Sequence, residues 1–495
     1  MKIDLFYLGY LRKYIADYIS SKVNSPAEQI ILIITLASAI PFSFVNYFIH
    51  NKTSRLIYSL VVGFILQYSI YGINIWHTIF STITSYLFVY FYGRKVSPLY
   101  LLIGTMIHLS YINISKMLVN YGRWMIDNIS TIYMVELAKF SAFAFSYDDG
   151  KKELKDIKSE YHKKNRIEKM PSFLEYSAYI YFYPTSIIGP FINYMEFINF
   201  IEEKDCYKDL KNKLGYIFKQ GLYKLFMAFF FIGFYAIVGA KFPMQAVGRP
   251  QFRLDYPKWW QRILYMYIAG PVARSKYYIG WLLSYSSLIF SGMAYGETVK
   301  EDKIIPNVDK GSYGSIMFNE FGMHPKLKMV YWNMSIHLWL KYNVYTRLLG
   351  PLNNNKVLAT FVTYVFSSIW HGFYPSYYIN FFLIYLYEQD SLFLDELGFY
   401  KFVDKHKIIW PLISLKTSYI NDNVGAFFYC LESGSSKQIL INYYGLPANV
   451  TIGFYIFTVI YRLMFKKKRK NQKKIVQTDV NELKEKEVDK TMKKD

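Results

Sequence analysis

The sequence predicts an all-α protein, a multi-pass transmembrane helical bundle of about ten or eleven membrane helices, some broken or re-entrant, enclosing a chamber. Three observations carry this. Apolar residues make up 53% of the 495, aromatics 20% and charged residues only 19%, below the roughly 25% charged of a soluble domain. The charges are clustered, so they leave long uncharged stretches. Two cysteines, Cys206 and Cys430, exclude a disulfide scaffold and a cysteine-rich metal protein.

A helix needs about 20 mostly apolar residues to cross a hydrocarbon core about 30 Å thick. Gln29 to His50 meets that length without a carboxylate, Lys or Arg. Leu56 to Tyr92 suffices for two spans, with a break near Tyr71-Gly72-Ile73-Asn74. Val96 to Ser115 gives another. Tyr176 to Met195 holds Pro184 and Gly189-Pro190 and reads as a broken span. Leu225 to Ala240 and Tyr277 to Gly296 follow. Val357 to Tyr387 contains His371 as its one basic side chain, and Val450 to Tyr461 closes the series.

The charged segments read as loops and ends. Residues 1–25 form an amphipathic N-terminal segment, with Leu5, Phe6, Leu8 and Leu11 near one side and no signal-peptide cleavage site. Asp148 to Lys169 sets six acidic residues against eight Lys or Arg and cannot span. Residues 26–465 form the membrane domain. Residues 466–495 form a basic, disordered tail, and its cations from Lys466 to Lys474 place the C-terminus in the cytoplasm. The net charge of +22 therefore reads as membrane topology and attraction to anionic head groups, with no nucleic-acid partner, because no basic recognition helix or zinc spacing appears.

Ionisable groups inside a membrane are costly and tend to be functional. His371 is the clearest, within Trp370-His371-Gly372-Phe373-Tyr374-Pro375. A neutral imidazole can accept a proton, Gly372 leaves room for a substrate, and Pro375 breaks the helix. A second constellation runs from Tyr331 to Arg347. Read as one helix, it puts Asn333, His337 and Lys341 on a shared face, beside an apolar stripe of Trp332, Ile336 and Trp339.

Trp332-Asn333, then Trp339-Leu340 and Tyr345-x-Arg347, then Trp370-His371-Gly372-Phe373-Tyr374-Pro375 resemble the membrane-bound O-acyltransferases. The Trp-His-Gly-Phe-Tyr-Pro form is typical of their lysophospholipid acyltransferase branch. The segments Asp127 to Gly150, Phe182 to Phe197 and Lys276 to Tyr295 agree in order, so the resemblance covers about Asp127 to Glu388. It maps the family's catalytic Asn and His onto Asn333 and His371. It also makes Trp332, Trp339, Trp370, Gly372, Tyr345 and Arg347 candidates for substrate binding. Ser376 replaces the branch's usual Gly and is expected to narrow the passage. Tyr285 and Ser286 are further departures, and His337 reads as structural.

The resemblance implies acyl transfer from acyl-CoA, as co-substrate, to the free hydroxyl of a lysophospholipid. It implies no cofactor, no metal, and a place in the endoplasmic-reticulum membrane with a tunnel open to the cytosol. The residues agree, since such a transfer needs a base and an oxyanion donor. A Gly-Ser elbow, a zinc helix and a P-loop are all missing. Two alternatives stay open: another acceptor (a sterol, diacylglycerol or a protein), or a transporter using His371 as a proton relay. Two related halves would favour the transporter, and no such repeat is visible. The oligomeric state is left open.

Overall fold

The computed structural model describes residues 8–23, 27–119, 121, 129–300 and 303–464. The apolar side expected of the N-terminal helix, Asp127 and the basic tail therefore lie outside the described residues and side chains. The first helices are α1 (Leu8–Val23), α2 (Ala27–Val45), α3 (Lys52–Tyr71), α4 (Trp76–Tyr92), α5 (Leu99–Val119) and α6 (Ile129–Asp149). Asn51 caps α3 by accepting from the Ser54 N–H at 3.2 Å. The expected break is present as a 3-10 turn over residues 72–75.

The side chains of α3 and α4 are sorted in the sense a bilayer requires. Ser59, Gln67, Thr78, Ser81 and Ser85 are buried, while Ile57, Val61, Ile65, Phe80 and Leu87 are exposed. Lipid covers the apolar outer faces, and close packing and hydrogen bonds hold the polar inner ones. Gly63 shows how close the approach is: a Cβ there would stand 1.5 Å from the Tyr181 carbonyl oxygen.

The broken stretch follows α7 (Glu160–Asn165) as α8 (Phe173–Ile180), a 3-10 turn at Tyr183–Thr185, an extended run, and α9 (Tyr194–Ile201). A break inside a membrane protein is tolerated only where its freed backbone groups find partners. Here side chains supply them. Lys139 Nζ donates to the carbonyls of Tyr179 and Ile180 at 3.2 and 2.8 Å. Gln67 reaches the Ser186 carbonyl at 2.7 Å, Tyr313 the Ile188 carbonyl at 2.7 Å and Tyr179 the Ile192 carbonyl at 2.8 Å.

Next come α10 (Leu214–Val238), α11 (Phe252–Asp255) and the long α12 (Trp259–Phe290). An antiparallel hairpin of β1 (Gly296–Lys300) and β2 (Lys303–Asn307) pairs Val299 with Ile304. After it run α13 (Ile316–Phe321), α14 (Pro325–Tyr331), α15 (Met334–Trp339), a π-helical turn over Leu340–Tyr345, and α16 (Thr346–Leu349). The chain ends as α17 (Lys356–His371), α18 (Pro375–Glu396), α19 (Phe399–Lys405), α20 (Trp410–Tyr429), α21 (Ser433–Asn442) and α22 (Leu446–Met464).

Among the described residues, five segments are long and apolar enough to cross a membrane: 27–48, 52–92 (α3 and α4 together), 99–119, 210–238 and 446–464. The other long helices carry polar residues that face the interior. Glu136 and Lys139 of α6 and Arg262 and Arg274 of α12 are buried. Low hydropathy there reflects a partner of protein rather than lipid. The architecture is the multi-pass helical bundle the sequence predicts, with one small hairpin added.

Polar contacts assign the helix ends to two faces. Arg94, after α4, donates to the Ile167 and Glu168 carbonyls, and Arg347, in α16, pairs with Asp149 at the end of α6. α17 leaves from that face, and Tyr364 on it bonds Glu388 of the returning α18 at 2.7 Å. Arg462 of α22 then reaches Glu396 of α18 at 3.5 Å. The end of α22 thus shares the face of the charged 148–169 segment.

Candidate active site

A chamber of about 830 Å3 opens inside the bundle, and His371 and Asn333 both line it. Its walls come from α5, α6, α12, α14, α15, α17, α18 and α20.

His371 is the last residue of α17. Gly372 ends the helix with φ of +127°, a value an L side chain rarely adopts, and its N–H returns to the Ser368 and Ile369 carbonyls. Pro375 then opens α18 at a position where its missing N–H costs nothing. The uncharged 357–387 interval is therefore a helical hairpin with the imidazole at its bend. The ring stacks on Phe381 at 5.1 Å and meets the edge of Phe428 at 5.0 Å. Among the described residues neither ring nitrogen has a protein hydrogen-bond partner. Apolar rings orient this histidine where a triad would use a carboxylate.

Asn333 differs from its expected setting. The sequence places it within one helix with His337 and Lys341. In the structure α14 ends at Tyr331 and α15 begins at Met334, so Asn333 stands at the join with φ of +47°. Asparagine tolerates this left-handed conformation better than most residues. The join is held by the Met334 N–H donating to the Tyr313 carbonyl at 3.0 Å. Ser335 Oγ donates to Asn333 Oδ1 at 3.3 Å, which leaves the amide N–H2 as the available donor. The π-helical turn from Leu340 interrupts regular helical spacing between His337 and Lys341, yet both still line the chamber.

The other candidates divide. Trp332, Tyr345, Trp370 and Gly372 line the chamber. Trp332 sits edge-on to Trp281 at 4.8 Å, which stacks on Tyr313 at 4.9 Å. Trp339 and Arg347 do not line it. Trp339 is fully buried and donates to Ser141 Oγ at 3.0 Å. Arg347 forks onto Asp149, whose second cation is Lys152 at 2.8 Å. Burial pushes the Asp149 carboxyl up, but hydrogen bonds and charge from Arg347 and Lys152 outweigh it and hold it below its ordinary value.

The expected narrowing by Ser376 does not occur. Its hydroxyl turns to the Leu431 carbonyl at 2.9 Å and Ser436 Oγ at 2.6 Å, away from the chamber. Tyr285 is likewise absent from the lining and donates to the Val308 carbonyl.

Sequence reasoning missed two groups. Arg274 of α12 donates to both oxygens of Glu320 at 2.7 and 2.6 Å and to Asp422 of α20, and Tyr278 adds 2.7 Å to Glu320. Gly270 admits this cluster, since a Cβ there would meet Asp422 at 2.4 Å. Asp422, a lone carboxylate in an otherwise nearly neutral stretch, was the signal available. The second group is Asn113 of α5 and Asn380 of α18, both buried in the chamber wall. Among the described residues no set of three or more His, Cys, Asp or Glu could hold a metal ion.

The model of the MBOAT, membrane-bound O-acyltransferase family, matches residues 87–408, which include both site strings. The chain belongs to the membrane-bound O-acyltransferase family. It is similar to lysophospholipid acyltransferase 2 of Arabidopsis thaliana, 26% identical over 357 residues, covering 70% of this chain and 75% of the relative. It is 27% identical over 328 residues to the lysophospholipid acyltransferase of Saccharomyces cerevisiae, covering 61% of this chain and 51% of that one. It is 24% identical over 382 residues to the human membrane-bound glycerophospholipid O-acyltransferase 2, covering 73% and 71%. In this membrane-bound O-acyltransferase the matched span ends before α20, so Asp422 and Phe428 complete the chamber from outside it.

Proposed function

We propose that this acyltransferase moves a fatty acyl chain from acyl-CoA to the free hydroxyl of a lysophospholipid, in the endoplasmic-reticulum membrane. The observation that carries the reading is the placement of His371 and Asn333 in one chamber, with the imidazole nitrogens free of hydrogen-bond partners among the described residues. The names of the Arabidopsis and yeast relatives support the acceptor class.

A ring nitrogen of His371 takes the proton of the acceptor hydroxyl as its oxygen attacks the thioester carbonyl. The Asn333 amide donates to the oxyanion that forms. Collapse breaks the carbon–sulfur bond, and the imidazolium returns its proton to the departing CoA sulfur. Apolar wall residues such as Ile336, Val357 and Phe381 suit the acyl chain and keep the reaction dry. Trp332, Trp370, Gly372 and Tyr345 shape the cavity around the reacting groups. Lys341 and Lys356 line the chamber on the segments nearest the Arg347–Asp149 face, where they suit CoA phosphates. The end of α22 lies on that face and the cations 466–474 come next in the sequence, so the reading makes the face cytosolic. Residues 26–465 form the catalytic unit, and no cofactor beyond the co-substrate enters the scheme.

Membrane fractions given labelled acyl-CoA and a panel of lysophospholipids, cholesterol and diacylglycerol test the reading. Labelled diacyl phospholipid is expected. Label in sterol ester or triacylglycerol alone would overturn the acceptor class.

A further inference from the structure

The chamber contains a polar group that the proposed mechanism leaves unused. Asn113 lies on α5, is 8% exposed and lines the chamber. Among the described residues its amide nitrogen has no hydrogen-bond partner. It stands against the bend that carries the catalytic histidine: a Cβ on Gly372 would be 3.6 Å from the Asn113 side chain. A buried donor without an acceptor costs stability, so a protein that keeps one beside its reacting groups keeps it for a ligand oxygen.

We propose that Asn113 is a positioning residue for the acyl acceptor, its carboxamide N–H donating to an acceptor oxygen next to the hydroxyl that His371 deprotonates. This deepens the proposed function and rests on it for the chemical class, a glycerol or phosphate oxygen of a lysophospholipid.

Position separates this site from the CoA side. α5 starts on the face of Arg94 and the 148–169 segment and runs away from it, and Asn113 lies in its last two turns. Lys341 and Lys356 are placed toward the starting face. Beside Asn113 the lining is also polar: Lys116 lies one turn on, and Ser130 and Thr131 open α6, each already engaged with neighbouring groups. That combination suits a phosphate-bearing lipid more than an acyl chain. The wall here is one helix thick, because Tyr111, Ile114 and Leu118 of the same helix are exposed on its outer side. An amphiphile in the bilayer therefore has a short path to Asn113.

The test is steady-state kinetics of purified full-length enzyme with Asn113→Leu, which keeps the shape and removes the donor, and Asn113→Ser, which keeps a shorter one. The acceptor is whichever the wild-type enzyme acylates, so failure of the lysophospholipid reading shows in the wild type and failure of the subsite only in the variants. Asn113→Leu is expected to raise acceptor KM about tenfold, the worth of one hydrogen bond. The acyl-CoA KM should stay within about twofold, and Asn113→Ser should fall between. The unfolding temperature in detergent should hold or rise, since no protein bond is lost. An unchanged acceptor KM, a loss falling on acyl-CoA KM, or variants that fail to fold would each overturn the proposal, the last by making Asn113 structural.

Discussion

Arg347 closes a fork onto Asp149: Nη1 donates to Oδ1 at 3.0 Å while Nη2 engages Oδ2. The pair ties the segment that follows Asn333 to the end of α6, on the face opposite the far end of α5. Neither residue of the pair is part of the chamber lining.

Breaking this pair should cost stability before it costs chemistry. Asp149 is almost fully buried, and Arg347→Ala would leave its carboxylate with Lys152 alone. A loss of about 3 kcal/mol is expected, the lower end for an uncompensated buried charge. The pH dependence follows from the depressed folded value of Asp149. Its stabilisation is complete above the ordinary carboxylate range and disappears as pH falls through the depressed folded value. Unfolding temperature measured against pH should therefore show a gap between wild type and Arg347→Ala that is widest near neutral pH and narrows on acidification, so the acid limb of the variant is shallower. Coincident limbs would contradict the role given to the fork.

Asn333 and His371 act in one transition state in the proposed mechanism. His371→Ala should lower turnover about 10²–10⁴-fold as the missing base, and Asn333→Ala about 10²–10³-fold as the missing donor. The double variant should lose far less than the product of the two. His337→Ala serves as a control for the face next to Asn333. A well-folded His371→Ala enzyme with near-normal transfer would remove the base from the scheme.

Gly63 sets the distance between α3 and the broken 181–193 run. Gly63→Ala would drive a methyl into the Tyr181 carbonyl and should cost about 3 kcal/mol or prevent folding. Gly104 is the matched control, since a Cβ there meets nothing within 4 Å. Equal detergent-phase unfolding temperatures for the two alanine variants would show that α3 can move aside.

The two-face assignment makes a topological prediction. In sealed microsomes, added protease should remove a tag placed after Asp495, while a tag inserted in the 239–251 turn should be protected. Protection of the C-terminal tag would invert the orientation.

The sequence by itself determined the membrane bundle, the breaks at residues 72–75 and 184–190, and the bend at Gly372-Pro375. Each depends on local chemistry: runs of apolar side chains, and the backbone limits of glycine and proline. Family resemblance singled out Asn333 and His371, and both line the chamber. Tertiary structure decided what spacing does not encode. It moved Asn333 from mid-helix to a left-handed join, because the carbonyl of Tyr313, some 20 residues away in sequence, fixes the backbone there. It turned Trp339 and Arg347 outward to Ser141 and Asp149. It brought Asn113 of α5 against Gly372, a contact between segments more than 250 residues apart that no local pattern announces. In a bilayer nearly every outward face is apolar, so which inner polar groups meet is set by the packing of whole helices rather than by the neighbours of each residue along the chain.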